Sequence, residues 1–263
     1  RYSLMLLQVK DLDISYGDKL TVTGASLELD KGEIMSIVGE SGSGKTTVIR
    51  AIMGCLPGAG RVSRGSITFD GKDVLQNTPE EWRKMYGSEM SMIFQDSGNM
   101  INPIRRIGQQ FIDYVQAHQP DKSKDQAYKM CCDMLTNVRL PNPENIMNSY
   151  PFELSGGMRQ RVGIAMAMIF SPKILLADEP TSALDVTTQA QIIRQIVDIR
   201  DEYGVAVIMV THNLGVASYV SNKLMVMKGG HVVEYGKRED VIGNPQDEYT
   251  KQLLKAVPVR GGT

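Results

Sequence analysis

Residues 34–47 read Ile-Met-Ser-Ile-Val-Gly-Glu-Ser-Gly-Ser-Gly-Lys-Thr-Thr, and the fold is read outward from them. A short apolar run, Ile34–Val38, leads into a glycine-rich turn, and a helical pattern begins at Thr46. From Gly39 the turn fits G-x-x-x-x-G-K-[ST], in the strand–loop–helix context that gives this pattern its meaning. Its glycines let successive backbone N–H groups turn inward as a nest for an anion. The helix start adds its partial positive charge at the same point. Gly39, Ser41, Gly42, Ser43, Gly44, Lys45, Thr46 and Thr47 are therefore candidate phosphate ligands. Lys45 is the residue to reach β- and γ-phosphates, and the Thr46 hydroxyl is a ligand for Mg²⁺. Alone, the loop indicates a nucleoside triphosphate without saying which one.

Further along, Lys173–Ala177 and Val205–Val210 are β-rich runs, each ending in a polar cluster. Continuous apolar runs of this kind suit buried parallel strands. Met5–Val9, Leu20–Leu29, Ser66–Phe69 and the VVEYG after His231 also read as strands. The alternation predicts an α/β fold with a parallel core. Between about Asp96 and Tyr150 the chain is polar and its periodicity suits short amphipathic helices inserted into that core. A short helical tail ends near Ala256.

Ile174-Leu-Leu-Ala-Asp-Glu-Pro180 sets Asp178 and Glu179 at the C-terminal end of a buried strand, the edge where α/β sheets collect ligands. By itself an Asp-Glu pair there is a cap or a solvated turn. Beside a phosphate loop, Asp178 is expected to hold Mg²⁺ and Glu179 to orient or deprotonate the attacking water.

Bulk numbers narrow the alternatives. The 263 residues are 42% hydrophobic and 22% charged, within the range of globular proteins. With 29 basic and 30 acidic side chains, the net charge is −1. No basic stripe accompanies it, so nucleic acid is not an expected partner. Three cysteines, Cys55, Cys131 and Cys132, suit neither a disulfide framework nor a zinc site and are expected to be reduced thiols. The longest apolar run, Val162 to Phe170, is about half of what a bilayer span needs, so any membrane role is expected to work through partners.

At Leu154-Ser-Gly-Gly-Met-Arg-Gln-Arg161 the sequence strongly resembles the signature motif of ATP-binding-cassette (ABC) ATPases. Ser155 and the paired glycines open a helix, which makes a second anion site at a helix N-terminus. The resemblance covers nearly the whole chain and implies a P-loop NTPase (RecA-like) core with an antiparallel β subdomain and an inserted α-helical signature subdomain. It divides a single nucleotide-binding domain, residues 1–263, into a core (1–95 and 171–235), a helical part (96–170) and a tail (236–263). In that family, head-to-tail dimers place one subunit's signature over the γ-phosphate held by the other. Ser155, Gly156, Gly157 and Gln160 match the signature. Tyr16 matches an aromatic that stacks on adenine, and Gln95 a glutamine that approaches Mg²⁺ and senses the transmembrane partner. Ser182-Ala-Leu-Asp185 matches the loop that contacts the opposite subunit, and His212 a switch histidine near the γ-phosphate. ATP and Mg²⁺ are the implied cofactors.

Within the family, Tyr150–Arg161, Arg61–Gly65, Trp82-Arg-Lys, Asn102-Pro103 and the tail from Asn244 resemble the D-type ATPases of oligopeptide, dipeptide and nickel importers. That implies two transmembrane permeases, a second related ATPase in a heterodimer, and an extracytoplasmic solute-binding protein. It also implies a peripheral place on the cytoplasmic face of the inner membrane. Asp96–Asn102 departs from the branch's usual run where permease contact is expected. The chain stops soon after Pro258 without a cysteine-bearing extension, so no iron–sulfur cluster is expected. Its shortness shifts the expected solute modestly toward metal chelates. The rival readings are an exporter or lipoprotein-release motor, and an ABC ATPase acting on DNA or ribosomes.

Overall fold

In the computed structural model, which describes residues 5–95, 101–182 and 184–257, the apolar runs flanking the phosphate loop form the centre of a sheet. β3 (Ile34–Gly39), β7 (Ile174–Asp178) and β8 (Ala206–Thr211) are buried at every position. β3 pairs in parallel with β8, β8 with β7, and β7 with β6 (Met90–Ile93). On the other side β3 pairs in parallel with β9 (Lys223–Lys228), which pairs antiparallel with β10 (His231–Lys237).

β1 (Met5–Tyr16), β2 (Lys19–Asp30), β4 (Gly60–Phe69) and the short β5 (Lys72–Asp73) make an antiparallel arm. The order across the described sheet is β5-β4-β1-β2-β10-β9-β3-β8-β7-β6. Arm and core meet where β2 lies parallel to β10 through one bridged pair, His231 with Thr23. Thr23 N–H also donates to Gly230 O at 2.9 Å. Packing makes the seam continuous: arm residues Leu7, Val9 and Val22 share one apolar cluster with Ile37 of β3 and with Val48, Ile49 and Ile52. Those last three lie on α1 (Lys45–Ile52), the helix that leaves the phosphate loop.

The arm strands outrun their expected lengths. β1 continues to Tyr16 and β4 begins at Gly60, because bulges at Asp11 (φ 47°) and Gly65 (φ 98°) break the alternation and let pairing resume. β6 and β9 were not expected at all. Both are four- to six-residue apolar runs that periodicity cannot tell from a turn of buried helix.

Helix α2 (Pro79–Met85) starts from a capping box at Thr78 and Glu81. The polar stretch after β6 contains α3 (Ile107–His118), α4 (Lys124–Asn137) and α5 (Pro143–Asn148). These pack through Phe111, Val115, Cys131 and Leu135 against α6 (Gly156–Met168). The apolar run Val162–Phe170 is thus chiefly the buried half of α6. After β7 comes α7 (Val186–Tyr203), and after β8 comes α8 (Leu214–Val220). α9 (Arg238–Gly243) and α10 (Glu248–Lys255) close the described chain. No described helix is long and apolar enough to cross a membrane.

Candidate nucleotide site

Four strands deliver their C-terminal ends to one edge: β3 opens the phosphate loop, β7 ends at Asp178, β8 leads to His212 and β6 to Gln95. The edge comes from parallel pairing alone, since each ladder aligns the ends.

Glycine is required twice in the loop. A Cβ at Gly39 would collide with Met227 O, and Gly44 turns the chain into α1 at φ 99°. Lys45 is 4% exposed; its Nζ donates to Gly39 O at 2.8 Å and Glu40 O at 2.6 Å. Burial lowers the ammonium's pKa, while the carboxylates of Glu179, Asp178 and Glu40 oppose that shift. Thr46 Oγ1 donates to Asp178 Oδ1 at 2.9 Å. Asp178 is 5% exposed, and burial pushes its carboxyl above the ordinary value against the pull of that bond and of Arg50. A hydroxyl and a carboxylate held together beside a buried ammonium form a hard-oxygen set of the kind Mg²⁺ takes alongside phosphate oxygens.

Glu179 follows with φ 43°, a left-handed backbone that costs a non-glycine residue about 1–3 kcal/mol. Its N–H donates to Val210 O at 2.9 Å, which ties the end of β7 to the end of β8. Thr211 Oγ1 accepts from Asn213 N–H at 3.1 Å, folding the turn that carries His212. Together these bring His212 Nδ1 to 3.6 Å from Glu179 Oε2. The histidine is exposed, and the carboxylate is mostly covered. Gln95 is also exposed, and its carbonyl accepts from Ser182 Oγ at 3.0 Å, joining the two loops. Phosphate loop, Asp178, Glu179, His212 and Gln95 thus converge.

Other expected residues gather elsewhere. Tyr16 sits at the tip of the arm, with its ring edge against Gly60. Ser155 caps α6 by accepting from Met158 N–H. An added Cβ at Gly156 would lie 3.3 Å from Leu184, and one at Gly157 2.7 Å from Thr188. Thr188 in turn donates from N–H (3.0 Å) and Oγ1 (2.6 Å) to the Asp185 carboxylate, which caps α7 and is held below its usual pKa by those bonds. Signature and Asp185 therefore form a second cluster, and no hydrogen bond among the described residues joins it to the phosphate loop. Gln160 differs from expectation: it is 5% exposed, its Nε2 has no hydrogen-bond partner, and it faces the interior instead of a second subunit. Helical periodicity explains this, since Gln160 lies one turn from the buried Ile164 on α6. The atypical run after Gln95 falls at 96–100, outside the described residues, as does Ala183.

The signature passed over one feature: a groove of about 470 Å³ between core and helical insertion. Met53, Cys55, Met90, Met92, Tyr114 and Met166 line it. The excess of methionine (16 in the chain) was the available signal, because thioether side chains suit adaptable binding surfaces.

A phosphate loop beside an acidic strand end, together with a separate capped-glycine helix start, defines a cassette-type nucleotide hydrolase. The ABC transporter family model matches residues 22–182, and the chain belongs to that family of ATPases. It is 43% identical to the oligopeptide transport ATP-binding protein OppD of Escherichia coli (strain K12), over 96% of this chain and 76% of that protein. It is 40% identical to the dipeptide transport ATP-binding protein DppD of Lactococcus lactis subsp. cremoris (strain MG1363), over 96% of this chain and 74% of that one. Among solved structures it resembles the post-hydrolysis dimer of the ATP-binding cassette MJ0796 bound to ADP and Pi. That match has a TM-score of 0.77 at 26% identity and covers 89% of this chain and 99% of that one.

Proposed function

We propose that this chain is the motor subunit of an importer, docked at the inner face of the membrane and coupling ATP hydrolysis to peptide uptake. The observation that carries the proposal is that β6 serves two surfaces. Its Met90 and Met92 line the methionine-rich groove, and it runs out at Gln95 on the nucleotide edge. A permease helix seated in the groove would press on the strand whose end meets the phosphates. The peptide-transport names of the relatives favour peptides over nickel or other metal chelates as the solute. On this reading the 96–170 stretch is the helical part, 236–263 the tail, and the remainder the core.

The loop N–H groups and Lys45 bind the β- and γ-phosphates, and Tyr16 stacks on the adenine. Thr46 and Asp178, with Gln95, would hold Mg²⁺, which would offset the phosphate charge. Glu179 accepts a proton from the water that attacks the γ-phosphorus as the bond to the ADP oxygen breaks. His212 positions that phosphate. Ser155, Gly156, Gly157 and Asp185 serve the nucleotide of a second, related ATPase, so closure of the pair does work through its differential affinity for ATP.

The test is to tag the chain in its native cell, solubilise membranes gently and identify what co-purifies. Two multi-spanning permeases, a second ABC ATPase and a solute-binding protein are expected, with ATPase activity stimulated by peptides. Ribosomal or DNA-bound proteins without a permease would overturn the transport proposal. Stimulation by nickel chelates alone would overturn the choice of solute.

A further inference from the structure

Lys45, Gln95, Asp178, Glu179 and His212 all precede α8, yet one peptide of the phosphate loop is held from α10. The N–H of Glu40, next after Gly39, donates to the Tyr249 hydroxyl at 2.9 Å. A loop whose amides gather on an anion has to satisfy any N–H that points the other way, and here a tyrosine oxygen does so.

Tyr249 is itself firmly placed. Asp247 caps α10 by accepting from the N–H of Tyr249 (2.8 Å) and Thr250 (3.4 Å). Glu234 of β10 fixes the turn before it, accepting from Gln246 N–H (2.8 Å) and Asp247 N–H (3.2 Å). Lys228 Nζ stands 4.8 Å from the centre of the Tyr249 ring. Leu253 and Leu254 pack into the apolar cluster that contains Val38, the residue before Gly39. Just past the helix, Val257 lies against Gly215, where an added Cβ would be 3.3 Å from its Cγ1. Gly215 is in the first turn of α8, immediately beyond the histidine turn.

We propose that α10 braces the nucleotide site, with Tyr249 a positioning residue whose hydroxyl holds the Glu40 peptide and so sets the phosphate loop for ATP. This rests on the reading above that the loop and Lys45 take the triphosphate. The brace touches both the strand entering the loop and the helix leaving the histidine turn.

Tyr249→Phe keeps the ring, its cation contact and the packing, and removes only the acceptor. The experiment measures hydrolysis against ATP concentration, and ATP affinity by calorimetry, on the co-purified complex carrying Tyr249→Phe or Lys45→Ala. Loss of one net hydrogen bond corresponds to about a two- to tenfold change in an equilibrium constant. Tyr249→Phe is therefore expected to raise KM and Kd for ATP by that factor while kcat at saturating ATP holds. Unchanged KM and Kd, or a fall in kcat with KM unchanged, would overturn the proposal, the latter marking a tyrosine that serves stability alone. Wild-type ATP affinity in Lys45→Ala would overturn the phosphate-loop reading and this inference with it.

Discussion

Thr46→Val tests how the phosphate loop and the acidic strand are joined. Valine copies the shape of threonine but cannot donate, so the 2.9 Å bond to Asp178 Oδ1 is lost without a cavity opening. Asp178 is 5% exposed, and water has little room to replace the hydroxyl. A buried acceptor deprived of its donor costs about 1–3 kcal/mol. Attraction from Arg50 and Lys45 persists, which favours the lower half of that range. In a chain of this size each kcal/mol moves Tm by about 2–4 °C. Thermal unfolding without nucleotide is therefore expected to shift down by roughly 2–8 °C. If the same hydroxyl helps hold MgATP, the upward shift from saturating MgATP should also largely disappear; at 100 times Kd it is worth about 2.7 kcal/mol. Thr46→Ser keeps the donor and should preserve both. A valine variant with the wild-type Tm and the wild-type MgATP shift would refute the argument.

Glu179→Gln should retain ATP binding and lose about 10²–10⁴-fold in hydrolysis, measured by phosphate release from the purified complex. Gly157→Val drives a side chain into Thr188, where even one added carbon would lie 2.7 Å away, and should lower stability by about 1–3 kcal/mol in denaturant melts. Native alkylation followed by mass spectrometry should label exposed Cys55 and spare Cys131, which is buried with its thiol pushed up to about 12. Labelling of Cys55 should slow when a permease fills the groove.

Much of the nucleotide edge was legible because its chemistry is local. The phosphate loop, Asp178-Glu179 and the run to His212 each occupy a few consecutive residues that announce a strand end. The Ser155 cap was legible for the same reason, since a capping serine acts within one turn. What stayed hidden depends on contacts across long separations. Tyr249 and Glu40 are 209 residues apart, and nothing about a tyrosine in an amphipathic tail says which peptide its hydroxyl meets. β9 escaped because its neighbours, β3 and β10, establish it as a strand. Gln160 was assigned by motif to a surface, although helix phase turns it inward. The left-handed backbone at Glu179 leaves no mark in the sequence, since glutamate is not a residue that favours it.

Arm and core share one bridged pair, His231 with Thr23, and a second tie where the Tyr235 hydroxyl and Lys223 Nζ meet the backbone of Glu28. Hydrogen bonds resist displacement directionally, whereas apolar contacts tolerate small slides. Between those ties the arm meets the six core strands mainly through apolar packing, with Gly44 against Val22 across the seam. On the proposed reading, a nucleotide with its base on Tyr16 and its phosphates on Lys45 would lie across that seam like a rivet. Loading the site would then do more than fill it, because one bound molecule would bolt the arm to the core.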